Sequence, residues 1–361
     1  MTIEEDPHPR PLSKLAKKRG NFGEGCLSIF DWIVHIFRLK KAPLLQTRAL
    51  TSLEKGPGDE DFKLSYPISL EQMILTASAK YDSRIAAIIL LMASVPHQSV
   101  HSGETTMKFG VCGGPDLARI AKAAGYDYFE WSVGGLLHPR EEESVFTEAL
   151  RQAQAVGLPC PAVNVFIPAD LKITGLEVDR AALEGFVTTA LRRASQTGVE
   201  LIGFGSGGAR AIPVGFDPQR AWQQLVEFGR MAGQLGEQFG VTVAVEPLNK
   251  AECNVLTTLD ESASLVREVD LPRFRLLADG YHWAKDGDSR SGILDNADLL
   301  VHAHVATVEG RRPPHPGDDC APFFAALKQA GYTGRVSIEG NIQTPETELP
   351  LALATMRALA G

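Results

Sequence analysis

No apolar run in this chain approaches the roughly 18 residues that a membrane-spanning helix needs. The longest, Ile85 to Val95, is too short for that and lies too far in to be an N-terminal signal peptide. Positive charge is also in short supply. The formal net charge is -8 and the isoelectric point near 5.7, which argues against a general nucleic-acid or anionic-membrane surface. Cysteine is sparse: Cys26, Cys112, Cys160, Cys253 and Cys320 form an odd, scattered set without a CxxC. Such usage reads as free thiols in a reducing cytoplasm. Nucleotide motifs are missing as well. The glycine-rich Gly205 to Arg210, GSGGAR, suggests a phosphate cradle. It lacks both the Walker lysine and the strand–turn–helix spacing of a dinucleotide fingerprint, so it reads equally as a tight turn or a close backbone approach.

The first 106 residues are poorly patterned. They carry 13 Lys+Arg against 12 Asp+Glu, which leaves a net charge of -9 on residues 107–361. Pro7 to Gly25 mixes charge, proline and glycine and reads as disordered. Leu27 to Phe37 and Ile68 to Tyr81 could form amphipathic helices, and Ile85 to Met92 a further apolar turn or two. The sequence changes character at Met107, where MKFGVCGG reads as a start methionine, a strand and a glycine turn. Residues 1–106 are therefore expected to be an N-terminal extension, disordered or read from an upstream start, with a helical accessory domain as the competitor.

From Lys108 onward, strands and helices alternate. Strands are expected at Lys108–Cys112, Tyr126–Trp131, Cys160–Phe166, Val199–Phe204, Val241–Glu246, Phe274–Ala278, Leu299–Val305 and Arg335–Glu339. The helices between them carry recognisable end signals, such as Gly125 and Gly157 as C-caps and Asp179 as an N-cap. Eight such units in 255 residues predict a (β/α)8 barrel, a TIM barrel spanning 107–361. A doubly wound open sheet gives the same alternation. The polar strand-end residues favour the barrel, because they come from four different strands and a barrel converges them on one face.

Those residues are Glu246, Asp279, His304 and Glu339, each at or just beyond the end of an apolar strand. A carboxylate there is costly to bury unless a cation pairs with it. Three carboxylates and an imidazole form a hard O/N set suited to Mn²⁺, Mg²⁺ or Co²⁺ and able to take Zn²⁺. His302 precedes His304 by two residues and points to the same side, so either could be the ligand; the one nearer the strand end is preferred. Around this set lie Asn249, Glu252, His282 and Arg311, donors and acceptors of the kind sugar hydroxyls require, and Glu130, which could hold a substrate hydroxyl or make a structural ion pair. Trp131 and Trp283 are placed to wall an apolar side of the pocket, with Trp222 in helix packing and His138 in a loop.

The motifs EPLN after the fifth strand, DGYH after the sixth, HAHVATVEGRR after the seventh and SIEGN at the eighth, with FGSGGAR after the fourth, carry a resemblance. Residues 107–361 resemble the sugar phosphate isomerase/epimerase superfamily, the xylose isomerase-like barrels. These include ketose 3-epimerases, hydroxypyruvate isomerases, inosose dehydratases and, more distantly, endonuclease IV-type nucleases. The resemblance implies a divalent metal, Mn²⁺ foremost, on Glu246, Asp279, His304 and Glu339, with the two glutamates as an acid/base pair. It also implies that Glu252, His282 and Arg311 touch substrate oxygens, and that the chain acts on a small sugar or hydroxy-keto compound through an enediolate. Homo-oligomers are common in such families. A dehydratase, a nuclease and a non-catalytic sugar-binding barrel are the rival readings, and the acidic balance of residues 107–361 counts against the nuclease.

Overall fold

The computed structural model describes residues 51–54, 63–67 and 107–361. The expectations for Pro7–Gly25, Leu27–Phe37, Ile68–Tyr81 and Ile85–Met92 lie outside the described residues. Within 1–106, two short strands not foreseen in the sequence, β1 (Thr51–Glu54) and β2 (Lys63–Pro67), pair antiparallel.

Residues 107–361 form a closed barrel of eight parallel strands. In chain order these are β3 (Lys108–Cys112), β4 (Tyr128–Ser132), β5 (Ala162–Asn164), β6 (Leu201–Phe204), β7 (Thr242–Val245), β8 (Phe274–Asp279), β9 (Leu300–Val305) and β10 (Arg335–Ile338). Closure comes from the pairing of β10 with β3. Each strand matches its expected position to within a few residues. The largest difference is at β5, which is confined to three residues. It is bounded by Pro159 and Pro161 on one side and by Val165, at φ 54, on the other; proline cannot donate to a ladder and a left-handed residue leaves it.

Helix ends follow the local chemistry. Asp179, Asp217 and Thr258 accept backbone N–H groups as N-caps of Arg180–Ser195, Pro218–Phe239 and Leu259–Val269. Gly125 and Gly157 close their helices in the left-handed conformation.

Two apolar layers result. A large cluster fills the space between strands and helices, and includes an aromatic group of Phe166, Phe204 and Phe228. A smaller one, Ala162, Leu201, Ala244 and Leu277 with Val301 against it, lies inside the barrel. Because side chains alternate along a strand, the residue two further on faces the same interior. Ala162 thus leads to Asn164, Ala244 to Glu246, Leu277 to Asp279 and Tyr128 to Glu130. The small apolar layer is the plug, and the polar residues stand above it at the C-terminal mouth.

The register between β8 and β9 shifts at Leu276/Leu277, after which Leu277 pairs with His302 and Asp279 with His304. That irregularity aligns the two histidines with the interior face of β8.

Gly110 makes room for the plug. A Cβ there would sit 2.2 Å from Cε2 of Tyr128, whose ring crosses the interior and whose hydroxyl meets Ser337 Oγ at 2.8 Å. Gly110→Ala is expected to destabilise the barrel by about 1–3 kcal/mol through overpacking, measurable as a lower denaturation midpoint in urea. An unchanged midpoint would show that the Tyr128 ring can move aside.

Candidate active site

The four expected strand-end residues converge. One ligand atom each from Glu246, Asp279, His304 and Glu339 lies within 4.8 Å of the others. Backbone pairing places them: Glu246 N–H donates to Phe204 O at 3.1 Å and Glu339 N–H to Val305 O at 3.2 Å, each continuing its strand by one residue. His304 is fully buried, Asp279 and Glu246 nearly so, and the Glu339 side chain is 21 % exposed at the open end.

His304 Nδ1 faces the acidic group, 3.0 Å from Glu246 Oε1, 3.8 Å from Glu339 and 3.9 Å from Asp279 Oδ2. Asp279 Oδ1 caps the following helix, Gly280–Lys285, through His282 N–H, and Oδ2 is buried with no hydrogen-bond partner. Burial, reinforced by the Glu339 charge, pushes the Asp279 carboxyl up to about 6, and the same two causes raise Glu246. Burial opposes a charged His304, yet the carboxylates of Glu130, Glu339 and Glu246 hold its imidazole well above the ordinary value. A buried carboxylate oxygen without a donor, among three acids and one imidazole, fits a divalent cation as the missing partner.

Glycine clears the approach to this cluster. A Cβ on Gly205 would lie 2.5 Å from Glu246 Oε2. The GSGGAR segment is therefore not a phosphate cradle. Gly207–Arg210 forms a single helical turn, and Arg210, fully buried, donates to the carbonyls of Phe204, Glu246 and Leu256. Its guanidinium ties the ends of β6 and β7 to the loop beyond.

One wall of the mouth is built by Asn249, Glu252, His282 and Arg311. Asn249 spends its side chain on its neighbours: Nδ2 lies 2.8 Å from Glu252 Oε1 and 2.7 Å from His282 Nδ1, and Oδ1 accepts from Ala251 N–H. With its polar atoms so engaged, Asn249 orders the Glu252 and His282 side chains. Because His282 Nδ1 also accepts from Asn249 N–H, its proton sits on Nε2, which is buried and has no partner. Burial lowers the His282 pKa, keeping it neutral. Arg311 donates to Glu339 Oε2 at 2.7 Å, stacks 4.5 Å over the Tyr281 ring and lies 3.7 Å from Glu252.

Of the two roles open to Glu130, the structure shows the internal ion pair. Glu130 is fully buried and takes His302 Nε2 at 2.8 Å, His304 Nε2 at 3.0 Å and Ser337 Oγ at 2.6 Å. With three internal donors on it and no exposed surface, its carboxylate is turned away from a substrate hydroxyl. Burial would raise its carboxyl, but the two imidazoles outweigh that and hold it well below the usual carboxylate range. His302 is not in the four-residue cluster; its Nε2 is committed to Glu130. Trp283 is not a pocket wall either, since it packs on Phe323 with ring centroids 5.8 Å apart and donates Nε1–H to Ser289 O. Trp131 lies half-buried at the end of β4, beside Gly114 and Gly135. Trp222 bonds across helices to Glu268, as its helical position suggested.

One residue escaped the sequence reading. Asn164, at the end of β5, donates to Glu339 Oε1 at 2.8 Å. An amide at the close of the apolar AVNVF was the available signal.

Residues 118–359 match the family described as xylose isomerase-like TIM barrel. The chain belongs to that family. It is 30% identical over 118 residues to a 3-dehydro-D-guloside 4-epimerase of Escherichia coli K12, covering 32% of this chain and 45% of that protein. It is 27% identical over 166 residues to a D-psicose 3-epimerase of Ruminiclostridium cellulolyticum, covering 44% and 56%. An L-ribulose 3-epimerase of Methylomonas is 25% identical over 250 residues, covering 67% of this chain and 82% of the relative. The chain thus spans about half the length of the first two of these relatives. A solved 3-keto-D-glucoside 4-epimerase from E. coli superposes with a TM-score of 0.59 at 24% identity, over 70% of this chain and all of that one; this likeness speaks for the fold. Among the described residues no helix is long and apolar enough to cross a membrane.

Proposed function

We propose that this member of the xylose isomerase-like barrels is a divalent-metal-dependent isomerase or epimerase of a small ketose or hydroxy-keto compound. The observation that carries it is the convergence of Glu246, Asp279, His304 and Glu339 around the donor-less Asp279 Oδ2. These four would hold the cation, Mn²⁺ foremost, with Mg²⁺, Co²⁺ and Zn²⁺ as alternatives. When bound, it supplies Lewis-acid polarisation of a carbonyl, which acidifies the adjacent C–H.

The remaining roles fall to the chain itself. Glu246 and Glu339 follow strands three positions apart in the barrel ring, with β8 and β9 between them, and can address a substrate carbon from different sides. One takes a proton from that carbon and the other returns one, either to its opposite face or to the neighbouring carbon. The two glutamates are differently equipped. Both oxygens of Glu339 accept hydrogen bonds, from Asn164 and Arg311, whereas Glu246 is met only at Oε1, by His304. The His282 Nε2–H, the Glu252 carboxylate and the Arg311 guanidinium supply one donor-rich and one acceptor-rich point for hydroxyl and carbonyl oxygens. Arg311 is already balanced by Glu339 and Glu252, which favours a neutral polyol over a strongly anionic substrate.

The test uses the full chain. Calorimetric titration with Mn²⁺ should give about one site per chain, followed by conversion of ketohexoses, ketopentoses or hydroxypyruvate in a product-resolved assay. A folded chain that binds no divalent metal would overturn the reading.

A further inference from the structure

A buried polar layer lies beneath the four-residue cluster and reaches it through His304. It joins three strands: Tyr128 and Glu130 from β4, His302 and His304 from β9, and Ser337 from β10. Glu130 is its centre. Oε1 lies 3.0 Å from His304 Nε2, and Oε2 lies 2.8 Å from His302 Nε2 and 2.6 Å from Ser337 Oγ. Tyr128, 2.8 Å from Ser337 Oγ, completes the chain of hydroxyls.

Only Nδ1 of His304 faces Glu246, Asp279 and Glu339. For that nitrogen to offer a lone pair, the ring proton must sit on Nε2, and a buried N–H needs an acceptor. An ionised carboxylate accepts and cannot donate, so Glu130 permits one tautomer and excludes the other. The same residue explains why His302, on the same strand and facing the same interior, is not a ligand.

We infer that Glu130 is a positioning residue: it fixes His304 as the Nε2–H tautomer, presents Nδ1 to the cation site and holds His302 out of it. This rests on the metal-site reading of the preceding subsection. Glu130→Gln replaces one accepting oxygen by an amide NH₂, leaving two imidazoles and a hydroxyl to compete for a single acceptor. Either His304 loses its partner or the amide donates to Nε2 and drives the proton to Nδ1.

The experiment is calorimetric titration of the full-length chain and of Glu130→Gln with Zn²⁺, paired with long-range ¹H–¹⁵N correlation of the histidine rings in the Zn²⁺-loaded wild type. Expected are a Zn²⁺ Kd raised roughly 10–100-fold in Glu130→Gln, substantial recovery in Glu130→Asp, and a wild-type His304 protonated at Nε2. Unchanged affinity in a folded Glu130→Gln would overturn the positioning role and leave the metal site standing, as would a wild-type His304 protonated at Nδ1. The wild-type spectrum decides the matter even if the variant fails to fold. Wild type that binds no Zn²⁺ would overturn both readings.

Discussion

Glu339→Gln is expected to lower kcat by about 10²–10⁴-fold, the usual contribution of a positioned acid or base. The effect should exceed what loss of charge alone would give. Both Glu339 oxygens accept hydrogen bonds, from Asn164 Nδ2 and Arg311 Nη2, so an amide must turn its own NH₂ against one of these donors. The variant keeps the size of the side chain, and its far-ultraviolet circular dichroism should match that of the parent. Substrate deuterated at the reacting carbon separates proton transfer from binding. If Glu339 moves that proton, turnover falls while KM changes little and the slow step carries a primary isotope effect. A Glu339→Gln enzyme with kcat within a few-fold of the parent would remove this residue from the chemistry.

Arg210→Met should destabilise the fold by about 1–3 kcal/mol. The Arg210 guanidinium is fully buried and is met by three backbone carbonyls, at 3.0 Å from Phe204, 2.8 Å from Glu246 and 3.2 Å from Leu256. Methionine fills much of the volume but donates nothing, so the Glu246 carbonyl loses its partner, while those of Phe204 and Leu256 keep the backbone donors Glu246 N–H and Leu248 N–H. Relief from desolvating a cation offsets part of this loss. Urea denaturation reads the difference directly, and a change under about 1 kcal/mol would mean that water replaces the guanidinium. Since one of the carbonyls belongs to Glu246, metal affinity should weaken as well, which distinguishes this variant from a neutral core substitution.

The barrel was legible because strand and helix periodicities, capping residues and glycine stops agree along 107–361. The four strand-end residues were legible for a similar reason: a charge at the end of an apolar strand has few explanations. The buried layer was not. Glu130 has the same sequence signature as Glu246, a carboxylate ending an apolar strand, and only closure of the barrel, which sets β4 three strands from β9, shows that its partners are two histidines. Asn164 escaped because an uncharged amide in a short strand between prolines carries no cost that demands a cation. Arg210 was read with its glycines as a phosphate cradle or a tight turn; a helical turn at Gly207–Arg210 buries it fully. Trp283 looked like a pocket wall from its distance to Asp279 in sequence, but the Gly280–Lys285 helix carries it to Phe323. In each case the deciding contact is non-local, and local pattern holds no record of it.

The plug of Ala162, Leu201, Ala244 and Leu277 makes the barrel a vessel with one opening. On the proposed chemistry, a proton lifted from substrate by Glu246 or Glu339 would leave by the same mouth as the substrate itself. Retention of that proton against exchange with bulk water is then a property of the rim: the Asn249–Glu252 turn and the Arg311 loop that lean over the mouth. Isotope carried from solvent into product would measure how well that rim keeps water from the reacting carbon. Diversification of substrate in such a chain has correspondingly little to gain from its strands, whose interior positions are already allotted to metal, to the histidines and to the stopper below them.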